Sequence, residues 1–121
     1  MGFDKPPYTV RCVDEIPSLH IRYSMKIEPM HPFDIQHALE HLPGWGHEHD
    51  ALVKTLKFAN FREALAFMLK AGFEADALNH HPEWTNSYNR VVIRLTTHDA
   101  GDKVTSKDME LAMRIEALLP H

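Results

Sequence analysis

Apolar residues recur along this chain with two different periods, which separates predicted strands from predicted helices. Between His20 and Glu28 apolar and polar residues alternate strictly, and this period of two predicts a half-buried strand. A weaker strand is predicted over residues 8–13, and the turn-like residues 14–18 between the two favour a hairpin. Prolines at positions 29 and 32 then break the chain before the next element.

Three later segments have the three- and four-residue apolar spacing of amphipathic helices. The first covers residues 34–42 and is ended by a Pro-Gly pair. The second begins after Asn60, which can cap it together with Glu63, and continues to about residues 76–78. The third follows the T-x-x-D capping pattern of residues 105–108.

The middle helix is predicted to bury one side. Its buried residues are expected to be Phe61, Ala64, Leu65, Met68, Gly72 and Ala75. The larger apolar residues Phe67, Met68 and Phe73 are interpreted as a core cluster. A glycine inside a helix costs roughly 1 kcal/mol relative to alanine, so close packing against a neighbour is expected at Gly72.

Four strands accompany these helices. Two short strands are predicted over residues 45–58, with a turn near residues 49–50, and a hairpin over 84–88 and 91–97 turns around 89–90. This order predicts an α+β domain, an antiparallel sheet with helices on one face. Residues 1–31 are predicted to be an N-terminal extension with an extra strand or hairpin, and residues 32–121 a single globular unit.

Composition narrows the possible functions. The 121-residue chain is 44% hydrophobic and 25% charged, which predicts one ordinary globular domain. A formal net charge of −4 without a basic cluster argues against a nucleic-acid partner. No apolar run approaches the roughly 20 residues that cross a bilayer, and no signal-like start is present, so no membrane association is expected. The lone Cys12 fits a reducing compartment, and a cytoplasmic location is predicted.

Candidate chemistry concentrates between residues 76 and 98, which hold three of the ten histidines. His80 and His81 end the middle helix, Pro82 and Trp84 follow them, and His98 ends the last predicted strand. Pro82 pushes His81 into an extended conformation, so a strand begins within a few residues of the helix. Because imidazole exchanges protons near neutral pH, the cluster predicts proton transfer on a flat, polar small molecule.

Two other interpretations remain open at this stage. His37 and His41 lie four residues apart on a helix, but no cysteine or carboxylate completes a recognisable metal spacing, and no metal site is assigned. Zinc bound by the three clustered histidines is possible on ligand type, although adjacent histidines on an extended chain point in different directions. Asp108 either caps the last helix or aims inward to orient a histidine.

The spacing of the cluster resembles that of pterin-4a-carbinolamine dehydratases. It runs from Asp76 through His80-His81-Pro82, Tyr88 and His98 to Asp108. The neighbouring segments P-E-W, L-T-T-H, F-A-N-F-R-E-A-L-A-F-M and L-P-G-W are also similar to the family, over about residues 34–119. The first 30 or so residues differ from the family's usual N-terminal helix region.

The resemblance implies a two-layer fold, a four-stranded antiparallel sheet with three helices on one face. It implies dehydration of 4a-hydroxytetrahydropterin to quinonoid dihydropterin, which recycles tetrahydrobiopterin for aromatic amino acid hydroxylases. It further implies that no metal or cofactor is needed beyond the pterin substrate, and that the chain forms dimers or tetramers. Some members instead act as non-catalytic partners of other proteins, so a protein-binding or assembly module is the alternative.

The resemblance also suggests roles for individual residues. His81 and His98 are predicted as the acid–base pair, and His80 as a ligand of the pterin or its hydroxyl that shares the proton transfer. Which histidine is the acid and which is the base stays open. The predicted substrate-binding residues are Trp84, Thr96 and Thr97, and the carboxylates predicted to orient histidines are Asp76 and Asp108.

Overall fold

The computed structural model describes residues 27–120, which form three α-helices, four strands and one 3₁₀ turn. The elements in chain order are α1 (Pro32–Leu39), β1 (Gly46–Glu48), β2 (Ala51–Lys57), α2 (Phe61–Ala77), β3 (Glu83–Ser87), β4 (Arg90–Leu95), the 3₁₀ turn His98–Ala100, and α3 (Ser106–Ala117). The strand predicted over residues 8–13, and nearly all of the one predicted over 20–28, lie outside the described residues. Those two strands stay predictions.

The strands form one antiparallel sheet in the order β1-β2-β4-β3. Together with the three helices it confirms the predicted α+β class. Along β4 the inward residues Val91, Ile93 and Leu95 are each 0% exposed, because alternate side chains of a strand face the same side of the sheet. The core lies between this face of the sheet and the helices, where Leu111 and Ile115 of α3 are also fully buried.

Two element boundaries differ from the sequence prediction. The β3–β4 turn is at Tyr88 and Asn89, one residue earlier than expected, and Tyr88 has a left-handed φ of 53°. Helix α1 covers 32–39 rather than 34–42, because Pro32 is well suited to a first helical turn. Leu42 lies in the turn that follows α1 and is still buried.

Helix α2 buries a narrower side than the sequence predicted. Its buried residues are Ala64, Phe67, Ala71 and Ala75, so three alanines let the helix lie close to the sheet. Phe61 is 43% exposed, Leu65 is 52% exposed and Phe73 is 68% exposed, so the core prediction was wrong for all three. The helical spacing of apolar residues gives the direction of the buried side of α2 but not its width. A Cβ added at Gly72 would meet the Trp84 ring at 3.9 Å, an ordinary contact.

A buried ion pair between β2 and α3 interrupts the apolar core. Lys54 of β2 pairs with Glu116 of α3 and donates to the Pro43 carbonyl oxygen at 2.8 Å. The indole Nε1–H of Trp45 donates to Glu116 Oε2 at 2.8 Å. Lys54 and Glu116 also line a cavity of about 440 Å³ that contains no histidine.

No helix within residues 27–120 has the length and apolarity needed to cross a membrane.

Candidate active site

The end of α2 fixes the backbone of His80. Asn79 adopts a left-handed conformation with φ of 53°, directly after the C-cap Leu78. The N–H of Asn79 donates to the carbonyl of Asp76 and that of His80 to the carbonyl of Ala75, both at 3.0 Å. These two bonds form a Schellman motif, in which asparagine is a common substitute for glycine. The helix end therefore aims His80 inward, and His80 is 9% exposed.

We expect substitutions at Asn79 to follow the left-handed backbone rather than the side chain. Asn79→Gly should keep or slightly raise the free energy of unfolding, whereas Asn79→Val should lower it by about 1–2 kcal/mol. Urea unfolding followed by circular dichroism measures both values. The control is Gln36→Val, because Gln36 is exposed on α1 and this substitution should leave the free energy of unfolding unchanged. Asn86→Val is not a suitable control, because the Asn86 amide donates hydrogen bonds in the β3–β4 turn. Equal values for Asn79→Gly and Asn79→Val would contradict this account.

His81 has a different environment from its neighbour. Pro82 follows it and the chain enters β3 at Glu83, as the sequence predicted. Its Nε2 lies 3.2 Å from Asp76 Oδ1, and the two side chains are 59% and 82% exposed. Solvent weakens an ion pair with this exposure, so Asp76 restricts the ring orientation of His81 only modestly.

Asp108 is a buried carboxylate with a complete set of donors. It lies in the first turn of α3 and is 0% exposed. Its Oδ2 accepts from the Thr105 backbone N–H at 2.9 Å and from the Thr97 hydroxyl at 2.8 Å, and its Oδ1 lies 2.5 Å from His80 Nε2. The sequence left capping and histidine orientation as alternatives for Asp108. The structure shows the capping bond and the histidine contact together.

These bonds determine where the protons lie. An ionised carboxylate only accepts, so His80 Nε2 carries the proton that is shared with Asp108. The Thr97 hydroxyl donates its one proton to Asp108, so the Thr105 hydroxyl must donate in the 2.7 Å contact between the two threonines. A neutral His80 therefore has its lone pair on Nδ1. Bonded donors and the N-terminus of α3 compensate the buried negative charge.

His98 lies on a loop rather than in a strand. β4 ends at Leu95, and Thr97 makes an isolated bridge to Lys103 that closes the loop of residues 98–102. The His98 side chain is 91% exposed, and its Nδ1 lies 3.1 Å from Asp102 Oδ1. Each of the three clustered histidines thus has its own carboxylate partner. Asp102 was not singled out from the sequence, although its position four residues after His98 was a usable signal.

The three histidines line one cavity of about 250 Å³ at the end of the sheet. Thr96 and Thr97 line it too, so five of the residues predicted for the site come together there. Asp108 lies behind His80, while Trp84 is absent from the lining and packs on the helix side of β3 near Gly72. The lining also includes residues that sequence reasoning did not assign, namely Asn79, Asp99 and Lys107.

Zinc ligation is the alternative interpretation of the same cluster. Within residues 27–120 no group of three histidine, cysteine, aspartate or glutamate side chains is arranged to hold a metal ion. One ring nitrogen of each histidine lies beside a carboxylate, and the three carboxylates belong to three different residues. This arrangement favours three independent imidazoles over shared coordination of one ion.

Comparison with known proteins agrees with the geometry. A family profile described as pterin 4 alpha carbinolamine dehydratase matches residues 28–118. The chain belongs to this family. A relative from Opitutus terrae that is named for the family is 62% identical over 85 residues, covering 70% of this chain and 88% of its own. A second, from Burkholderia multivorans, is 48% identical over 85 residues, covering 69% and 82%.

A solved structure has the same fold. The crystal structure of a transcriptional coactivator/pterin dehydratase from Brucella melitensis superposes with a TM-score of 0.73 at 35% sequence identity. The match covers 77% of this chain and 100% of that one. The pterin dehydratase fold therefore accounts for the whole of that relative and for most of this chain, and the family supports a lyase activity.

Proposed function

We propose that this chain dehydrates 4a-hydroxytetrahydropterin to quinonoid dihydropterin and water, without a metal or a further cofactor. The observation that carries the proposal is the convergence of His80, His81 and His98 on one cavity, each beside its own carboxylate. Family membership supports the pterin as the substrate class. The cavity of about 250 Å³ lies just below the range of about 300–1,000 Å³ that is usual for small-molecule sites.

The reaction requires one proton to be given and one to be taken. The bond between C4a and the hydroxyl oxygen breaks, and the oxygen leaves as water after accepting a proton. A proton leaves the adjacent ring nitrogen, and the electron pair of that N–H bond forms the new carbon–nitrogen double bond. A positioned imidazole performs either transfer near neutral pH and typically contributes 10²- to 10⁴-fold to the rate.

The geometry supports different tasks for the three imidazoles. His81 and His98 are exposed, so they exchange protons with water readily, and we assign them as the acid–base pair. His80 is buried and held by Asp108, so we assign its Nδ1 lone pair to bind the substrate and share the proton transfer. Thr96 and Thr97 line the same cavity and are proposed to contact the pterin.

A dehydratase assay on synthetic 4a-hydroxytetrahydropterin tests the proposal. We expect the wild-type protein to accelerate water loss clearly above the buffer rate, and to keep that rate in a strong chelator. A wild-type rate equal to that of buffer would refute the enzyme assignment. A rate abolished by the chelator and restored by zinc would replace it with a metal-dependent mechanism.

Replacing the exposed histidines should lower turnover without unfolding the chain. We expect His81→Ala and His98→Ala each to lower kcat about 100-fold, the lower end of general acid–base contributions, because water can reach both positions. His37→Ala is the matched control, since His37 is an exposed histidine on α1 that does not line this cavity. If His37→Ala lost as much activity as the other two, the assignment of His81 and His98 would be wrong.

Three wider features belong to the same proposal. We assign the chain to tetrahydrobiopterin recycling in the cytoplasm, on the strength of the family. Homo-oligomer formation is supported by an exposed apolar stripe on α2, whose members are Phe61, Leu65, Leu69 and Phe73. Light scattering with and without residues 1–31 measures the oligomer and the effect of the N-terminal extension on it. The stripe also suits the alternative, a protein-binding module, but the three histidine–carboxylate pairs favour the enzyme.

A further inference from the structure

The loop that carries His98 contains Asp102, a residue with a carboxylate side chain at a position whose backbone conformation favours glycine. Asp102 has a left-handed φ of 60°, directly after Gly101 with φ of 78°. A non-glycine residue in this region is uncommon and costs free energy, although aspartate tolerates it better than most. On backbone grounds alone, glycine would suit position 102 best. The conformation of the turn therefore does not explain why position 102 carries a carboxylate.

The turn itself does not depend on the Asp102 carboxylate. Backbone bonds close the loop, from the N–H groups of Ala100 and Asp102 to the Thr97 carbonyl at 3.1 and 3.0 Å, and from Thr97 N–H to the Lys103 carbonyl at 2.9 Å. The loop base is anchored to the β1–β2 turn, where Lys103 Nζ donates to Asp50 Oδ2 at 3.0 Å. Asp102 is thus held in a defined place.

Within residues 27–120 the Asp102 carboxylate has one polar contact, His98 Nδ1 at 3.1 Å. We propose that Asp102 is a positioning residue for His98. Its carboxylate only accepts hydrogen bonds, so it selects the tautomer in which His98 Nδ1 carries the proton. Nε2 then holds the lone pair, which leaves it able to take a proton from the substrate.

This assignment rests on the proposed function and adds a specific division between the histidines. The His80 lone pair is on Nδ1, because Nε2 donates to Asp108, whereas the His98 lone pair is on Nε2. The cavity thus contains two imidazoles in opposite tautomers. The exposed Asp102 pair is weaker than the buried Asp108 pair, so its removal should reduce catalysis rather than abolish it.

Asp102→Gly separates positioning from folding. It removes the carboxylate and at the same time relieves the left-handed backbone, so the unfolding midpoint should stay the same or rise. We expect kcat to fall only about two- to fivefold, because solvent weakens an exposed contact to a carboxylate, with a smaller change in KM. In ¹⁵N spectra the ring nitrogens of His98 should shift from the Nδ1–H pattern toward that of a solvated histidine.

Two further variants complete the experiment. Asp102→Asn keeps an acceptor oxygen for Nδ1–H and should retain the tautomer and most of kcat. His49→Gly is the matched control, because His49 also has a left-handed φ, 48°, but does not line the cavity. His49→Gly should match the wild type in kcat and in the His98 spectrum.

The readouts distinguish this inference from the proposed function. A wild-type His98 with its proton on Nε2, or an Asp102→Gly variant with an unchanged His98 spectrum, would overturn the contact. A shifted tautomer with unchanged kcat would overturn the positioning role. Absence of wild-type turnover would refute the dehydratase proposal, and the spectra would still decide whether Asp102 orients His98.

Discussion

Asp108→Asn is expected to lower kcat roughly 10³-fold while leaving the chain folded, within the range of general acid–base contributions. The asparagine oxygen can still accept from Thr97 and from the Thr105 backbone N–H, so the cap of α3 is kept. Its NH₂ group then faces His80 Nε2, where it can only donate. His80 must accept there and carry its proton on Nδ1, which removes the lone pair proposed to act on the substrate.

Asp34→Asn is the control for this variant. Asp34 is an exposed acidic residue in the first turn of α1, so its substitution makes the same chemical change at an equivalent helix position away from the cavity. It should leave kcat at the wild-type value. ¹⁵N spectra of the His80 ring report the tautomer directly. An Asp108→Asn variant with the proton still on Nε2, or with near wild-type kcat, would show that Asp108 does not act through His80.

Lys54→Met is expected to lower the free energy of unfolding by about 3–5 kcal/mol, because it removes the ammonium that pairs with the buried carboxylate of Glu116. Both side chains of the pair are largely buried, at 11% and 10% exposure. Methionine fills a similar volume, so the loss measures the missing ion pair and the missing hydrogen bond to the Pro43 carbonyl rather than packing. Urea unfolding, fitted with the same m-value for both proteins, gives the change in the free energy of unfolding. The midpoint urea concentration should fall in proportion.

A double substitution tests that interpretation. Lys54→Met combined with Glu116→Leu removes both charges, and replacing a buried ion pair with apolar residues is often neutral or stabilising. The double variant should recover most of the loss, apart from the hydrogen bonds that Trp45 Nε1–H and the Pro43 carbonyl oxygen then lack. A double variant less stable than Lys54→Met alone would show that packing at these positions, not the loss of the Lys54–Glu116 ion pair, causes the effect.

Local chemistry explains which features the sequence determined. The strand predicted over residues 91–97 put Val91, Ile93 and Leu95 on one face, since strand side chains alternate whatever the sheet around them, and that face is buried. The T-x-x-D pattern gave the capping box of α3, and Pro82 gave the change from helix to strand after His81. The family spacing predicted that the three histidines lie together, and all three line one cavity.

Contacts between distant segments decided the rest. Sequence alone could not tell which carboxylate meets which histidine: Asp108 reaches His80 over 28 positions, whereas His81 meets Asp76. Nor could it give the tautomer of His80, which follows from the Asp108 carboxylate that the N-terminus of α3 brings to Nε2. The buried edge of α2 was likewise set by the sheet it packs on, because a helical period defines a direction but not the width of the surface that another element covers.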